Sequence, residues 1–299
     1  MNNFFFNHLR FSPFLSQLVV TRRCNLACGY CNEFDHKSQP VDKQVLLQRI
    51  DKLKALGTLA IEFTGGEPLL HPDIFSLIKY AREIGIPSVQ MISNAYLFNE
   101  KTIEALNDAG LQHLQVSVDG VKENEITIKV LDRLRDKLEM LAKLAKFKVV
   151  ISAVIGAAPP EEVLEIVDFA KMHKFTPRVL LIHDSNGQIK LSRQNVELYY
   201  KIRTRMGKHF RDAKDYRSQL IKDGKSPFKC RAGSRYLYID EFGMVRWCSQ
   251  QKDCFSKALA EYSFADLEKQ FYTAKKHCSD LCTVGCSRSC AKLDEWRKQ

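Results

Sequence analysis

Three cysteines in one short stretch, Cys24-Asn-Leu-Ala-Cys28-Gly-Tyr-Cys31, are the residues of this chain best placed to do chemistry. They follow an apolar run, Leu18-Val19-Val20, that reads as a strand, so they sit on a loop at a strand's end. No structural disulfide needs three thiols this close. A zinc site usually takes four ligands, and no fourth Cys or His stands at ligand spacing, since His36 lies five residues past Cys31 in a polar segment. Three thiolates on one loop suit an iron–sulfur cluster whose fourth iron is open to another ligand. Half a zinc site, or three unrelated thiols, are the alternatives these residues leave open.

A second motif, Thr64-Gly65-Gly66-Glu67-Pro68-Leu69, follows another strand-like run and precedes a helix opened by Pro72 and Asp73. The cysteine triplet and the Gly-Gly-Glu-Pro turn, in this order and each after a strand, resemble the radical S-adenosylmethionine (radical SAM) superfamily. The resemblance implies that Cys24, Cys28 and Cys31 hold a [4Fe–4S] cluster whose fourth iron SAM chelates. It places Tyr30 beside the adenine, and it has Gly65, Gly66, Glu67 and Pro68 bring backbone and a carboxylate to the methionine ammonium. Glycine permits such close backbone approach, and a carboxylate offers a charge-assisted hydrogen bond.

The elements that must position these motifs alternate. Strands are predicted at 16–21, 59–63, 87–92, 113–118, 148–154 and 178–183, with helices at 42–56, 73–84, 100–109, 125–146 and 160–173. Alternation implies an α/β fold of parallel strands with right-handed crossovers. Six such units in residues 1–190 fit the partial (β/α)6 TIM-like barrel that the resemblance implies, with its chemistry at the strands' C-terminal ends. Ser93-Asn94-Ala95, Ser117-Val118-Asp119-Gly120 and Val154-Ile155-Gly156 all fall at such ends. The resemblance makes Ser93, Asn94, Ser117, Asp119 and Ile155 candidate SAM contacts, whereas on its own Asp119-Gly120 is a plain turn. Glu62, His183 and Asp184 are candidates for the rim facing the substrate, although a lone rim histidine also serves as a structural hydrogen-bonder. Residues 191–225, with Tyr199, Tyr200, Ile202, Met206 and Phe210 at helical spacing, read as a connector helix packed on the barrel.

Seven further cysteines crowd residues 226–299: Cys230, Cys248, Cys254, Cys278, Cys282, Cys286 and Cys290. Cys230, a hairpin turned at Glu241-Phe242-Gly243, and then Cys248 resemble the SPASM and twitch extensions of radical SAM enzymes, which hold auxiliary [4Fe–4S] clusters. Their usual later spacing is absent, because here four cysteines recur at every fourth residue from Cys278 to Cys290. One or two auxiliary clusters are expected, and a four-thiolate zinc site from the same residues stays open. Gly285 argues against one unbroken helix through them.

Composition bounds the rest. Ten cysteines without a signal peptide point to a reducing compartment and metal ligation, hence a cytoplasmic protein. No apolar run reaches the roughly 18 residues of a membrane helix. The net charge of +11 favours anionic partners without naming one. No basic run with interleaved aromatics favours nucleic acid. The resemblance implies a 5′-deoxyadenosyl radical that takes hydrogen from a peptide, protein or small molecule, fed by a flavodoxin- or ferredoxin-type reductant. With the cysteine loop starting at residue 24, no room is left before it for a leader-peptide-binding domain, so recognition in trans or a small molecule is expected. A rival reading, a non-catalytic electron-transfer or zinc-binding interaction protein, has no use for the Gly-Gly-Glu-Pro turn.

Overall fold

Six apolar runs become six parallel strands because each is followed by an amphipathic helix that returns the chain to the same edge. The computed structural model describes residues 10–182, 191–205, 216–225, 228–273, 282 and 284–291. The strands are β1 (Leu15–Thr21), β2 (Ala60–Gly65), β3 (Ser88–Ser93), β4 (His113–Ser117), β5 (Lys148–Ile155) and β6 (Thr176–Leu181). Each pairs in parallel with the next. Between them run α1 (Lys43–Ala55), α2 (Ile74–Glu83), α3 (Glu100–Asp108), α4 (Leu131–Leu144) and α5 (Pro160–Met172). The sheet does not close β6 onto β1, so the unit is a partial (β/α)6 barrel, as expected.

Local chemistry sets the helix ends. The Asp42 carboxylate accepts from the backbone N–H groups of Gln44 and Val45 to open α1, and Asn99 accepts from Thr102 to open α3. Each helix buries one stripe, such as Leu131, Leu134, Leu138 and Leu141 on α4. The start of α4 differs from the sequence expectation. Residues 125–130 are a loop, not helix, because Asn124 Oδ1 accepts from the N–H groups of Ile126 and Thr127 and Thr127 Oγ1 from that of Lys129. Such local side-chain bonds compete with a helix.

The sheet also continues past β1. After the connector helices α6 (Arg193–Arg205) and α7 (Tyr216–Asp223), strand β7 (Tyr236–Ile239) pairs in parallel with β1. Strands β8 (Met244–Arg246) and β9 (Lys257–Ala258) then extend the sheet antiparallel. The order is β6-β5-β4-β3-β2-β1-β7-β8-β9. The C-terminal extension is thus joined to the barrel through β1, the strand that leads into the cysteine loop. Leu198, Tyr199 and Ile202 of α6 are buried against the barrel, while Met206 and Phe210 lie outside the described residues. Two more helices, α8 (Phe264–Tyr272) and α9 (Gly285–Cys290), complete the described chain. None of the described helices is long and apolar enough to cross a membrane.

Candidate active site

The cysteine loop is built on two backbones in contact. Gly65, at φ 139°, leaves no space for a side chain: a Cβ there would stand 1.9 Å from Thr21 O, and one on Gly66 would stand 2.3 Å from Arg23 O. Gly66 N–H donates to Thr21 O and Glu67 N–H to Arg23 O, each at 2.9 Å. The glycines therefore seat the β2 turn against the residues entering the cysteine loop. Among the described residues no three Cys, His, Asp or Glu side chains converge as ligands of a single metal ion. Cys24, Cys28 and Cys31 instead border a cavity of about 120 Å³, shared with Gly65, Gly66, Ser93, Asn94, Ser117 and Lys129. Burial pushes the Cys24 and Cys31 thiols above their usual range, partly countered at Cys31 by a backbone N–H and by Lys129.

Glu67 lies behind the glycine wall. Its side chain is fully buried and borders neither described cavity. Oε1 accepts from Leu69 N–H at 3.1 Å and Ser93 Oγ at 2.9 Å, and Oε2 from Asn94 N–H at 2.8 Å. Desolvation pushes its pKa up to about 7 against the pull of those three donors. Glu67 ties the β2 turn to the end of β3, and it is the backbone of Gly65 and Gly66 that borders the cavity. Pro68 is buried in the adjoining 3₁₀ turn. Asn94, held by this clamp, turns Nδ2 toward Asn25 Oδ1 at 2.8 Å and Cys24 Sγ at 3.7 Å.

On the opposite wall, Tyr30 Oη donates to Asp119 Oδ2 at 2.6 Å, and Lys129 Nζ lies 3.0 Å from the same oxygen and 4.8 Å from the Tyr30 ring centroid. Burial alone would lower the Lys129 pKa, but Asp119 and Tyr30 outweigh it and hold the ammonium charged. Sequence reasoning missed Lys129 because it assigned residue 129 to a helix. The Asn124-Glu-Ile-Thr127 turn was the available signal.

Beyond Cys31 and Ser117 opens a second cavity of about 480 Å³. Tyr30, Asp119 and Val154 border it, together with Gln17, Gln115, Ser152, Arg178 and Tyr236 from β1, β4, β5, β6 and β7. Ile155 does not, because strand alternation turns it into the core and gives the cavity Val154 instead. Glu62 is corrected too: it lies buried behind the cavity wall rather than on its rim, taking Gln17 Nε2 at 2.6 Å on Oε2, with its pKa raised by burial. Tyr236 Oη donates to Gln17 Oε1 at 2.5 Å, and Arg178 Nη1 to Gln115 Oε1 at 2.7 Å. His183 and Asp184 lie outside the described residues.

Cys286 also borders this cavity and receives Gln17 Nε2 at 3.5 Å. Cys230, Cys248, Cys286 and Cys290 gather around Tyr236, Tyr238 and Trp247. Burial pushes the Cys286 thiol up to about 11 and the Cys290 thiol further still. Cys282 packs elsewhere, against Tyr216, Phe228 and Ala291. Cys254 is exposed, with Sγ 3.2 Å from Gln251 Oε1, and Cys278 lies outside the described residues.

The sequence profile of the family described as "Radical SAM superfamily" matches residues 18–183, which run from within β1 through the cysteine loop and the glycine turn to the end of β6. The chain belongs to the radical SAM superfamily. PqqA peptide cyclase of Gluconobacter oxydans is 36% identical over 116 residues, 38% of this chain and 32% of that protein. The GTP 3′,8-cyclase of Clostridium perfringens is 26% identical over 252 residues, 80% of this chain and 73% of that one. The matched segment thus spans about a third of the length of the PqqA peptide cyclases. Among solved structures, Streptococcus suis SuiB bound to its precursor peptide SuiA superposes with a TM-score of 0.68 at 18% identity, covering 88% of this chain and 65% of SuiB. The structure of anSMEcpe with bound AdoMet and a peptide gives 0.60 at 19% identity, over 89% and 82%. At these identities the superpositions establish the fold.

SAM and a [4Fe–4S] cluster are the cofactors of a radical SAM enzyme, and the residues around the first cavity suit them. They offer three thiols from one loop, a glycine wall that excludes side chains, and a charged lysine to offset thiolate charge. Burial disfavours the Cys24 and Cys31 thiolates further, and ligation there releases protons.

Proposed function

We propose that this chain is a radical SAM enzyme that acts on a peptide held between two iron–sulfur sites. Cys24, Cys28 and Cys31 would hold the [4Fe–4S] cluster, with SAM along Gly65, Gly66, Ser93, Asn94 and Ser117. When bound, that pair supplies a 5′-deoxyadenosyl radical, which removes a hydrogen atom from substrate. The protein's own part is to hold the substrate and exclude other hydrogen donors. Cys230, Cys248, Cys286 and Cys290 would hold one auxiliary cluster, leaving Cys254, Cys278 and Cys282 outside it.

The observation that carries this is the second cavity, which both Cys31 and Cys286 border. A substrate there sits between the two thiol groups, and an electron leaving it has the auxiliary site as neighbour. The lining favours a peptide over a nucleoside triphosphate. Neutral amides and hydroxyls dominate it among the described residues, joined by Glu33 and Asp119, with Arg178 as its cation. The names of the PqqA peptide cyclases support the same class.

The test is anaerobic reconstitution followed by reduction with dithionite in the presence of SAM. Formation of 5′-deoxyadenosine is expected, with a yield that GTP leaves unchanged. A colourless, zinc-loaded protein would overturn the proposal, and a GTP-dependent rise in yield would replace the peptide with a nucleotide.

A further inference from the structure

Two ionic residues bracket the cysteine loop, Arg22 ahead of Cys24 and Glu33 after Cys31, and they meet each other. Arg22, 7% exposed, donates through Nη1 to Glu33 Oε2 at 2.5 Å. Its Nε donates to Glu241 Oε2 at 2.7 Å and its Nη2 to Tyr238 Oη at 3.0 Å. Tyr238 Oη in turn donates to Glu33 Oε2. On the other carboxylate oxygen, Lys252 Nζ lies 2.6 Å from Glu33 Oε1, and the same ammonium donates to Asn32 O at 3.3 Å. Burial opposes the Arg22 charge, but Tyr238, Glu33 and Glu241 outweigh it and hold the guanidinium above its usual range.

Tyr238, Glu241 and Lys252 all belong to the C-terminal hairpin and the turn after it, not to the barrel. That hairpin is itself fixed: Arg49 of α1 donates to Glu241 O at 3.1 Å. Between Arg22 and Glu33 the chain has no helix or strand, so the positions of its three thiols depend on what pins its ends. A planar guanidinium with two carboxylates and a phenol fixes direction as well as distance.

We propose that Arg22, Glu33 and Tyr238 are positioning residues through which the C-terminal hairpin sets the geometry of the Cys24–Cys31 loop. SAM binding at the loop then depends on a part of the chain that supplies none of its ligands. This rests on the reading of Cys24, Cys28 and Cys31 as cluster ligands. The ties are made to the two residues that enter and leave the loop, where a lost anchor shifts the thiols instead of opening the core.

The test uses the full-length reconstituted protein with Glu33→Gln, Arg22→Lys and Tyr238→Phe, reading iron content and SAM titrations followed by the electron paramagnetic resonance (EPR) spectrum of the reduced cluster. Iron stays at the wild-type count. The apparent SAM dissociation constant rises about tenfold in Glu33→Gln, less in Arg22→Lys, which keeps the charge and loses the fork. The SAM-bound spectrum shifts in both. Tyr238→Phe removes a single hydroxyl and covers the case in which Glu33→Gln fails to fold; about a threefold rise is expected there. Wild-type affinity and spectrum in all folded variants would overturn the proposal. Wild-type protein that takes up no iron, or whose spectrum ignores SAM, would instead overturn the cluster reading beneath it.

Discussion

The two cysteine groups of this chain are built in opposite ways. Cys24, Cys28 and Cys31 come from a single loop seated on a glycine turn, with the loop's own Tyr30 tied to Asp119 and Lys129. Cys230, Cys248, Cys286 and Cys290 come from three distant places, namely the lead into β7, the end of β8 and helix α9. The first group is gathered by a short sequence against a rigid wall, with the C-terminal hairpin holding only the ends of its loop. The second exists only once the sheet has added β7 and β8 to β1. One is a motif, the other a product of tertiary structure.

That contrast can be broken most severely at the thiols. Changing Cys24, Cys28 and Cys31 together to alanine should remove about four irons and abolish 5′-deoxyadenosine, while the rest of the iron stays. Changing Cys286 and Cys290 should do the converse, sparing the SAM-dependent cluster. Iron analysis of both variants checks this, and loss of all iron in either would show that the groups are not independent.

The rigid wall comes next. A Cβ on Gly66 has nowhere to go except into the backbone of Arg22 and Arg23, so Gly66→Ala should cost about 3 kcal/mol or more in denaturant unfolding and lose the first cluster. An equal loss of auxiliary iron would contradict a local effect.

Glu67 gives a subtler measure of the same wall. Its folded pKa of about 7 stands above the value of 4.5 expected unfolded. The stability linked to this proton is therefore fully present below pH 4.5 and lost as the pH rises through about 7. From pH 4.5 to above 7 the wild type should lose on the order of 3 kcal/mol relative to Glu67→Gln. Parallel pH profiles of unfolding for the two proteins would reject that role. Smallest of all, Cys254→Ser should leave the iron count unchanged, because this thiol is exposed and turned to Gln251. A drop in iron would redraw the auxiliary ligand set.

The contrast also explains what the sequence could show. Strands, helices and the first thiol group were legible, because periodicity and spacing are local properties. The three donors around Glu67 are not legible, since those of Leu69, Ser93 and Asn94 meet only when β2 and β3 are side by side. Lys129 was hidden by an apolar period that runs on past the true start of α4. Gln17, Arg178 and Tyr236 carry no motif at all; they face one cavity because β1, β6 and β7 share a sheet. The partition of the later cysteines was beyond reach for the same reason, as Cys282 and Cys286 lie one turn apart in sequence and in different clusters in space.

The most direct test of the central claim is a low-temperature EPR spectrum of the dithionite-reduced protein recorded with and without SAM. The account predicts that SAM changes the signal of one cluster and that this change vanishes when Cys24, Cys28 and Cys31 are replaced, with the auxiliary signal left in place. A spectrum indifferent to SAM in fully iron-loaded wild-type protein would contradict it.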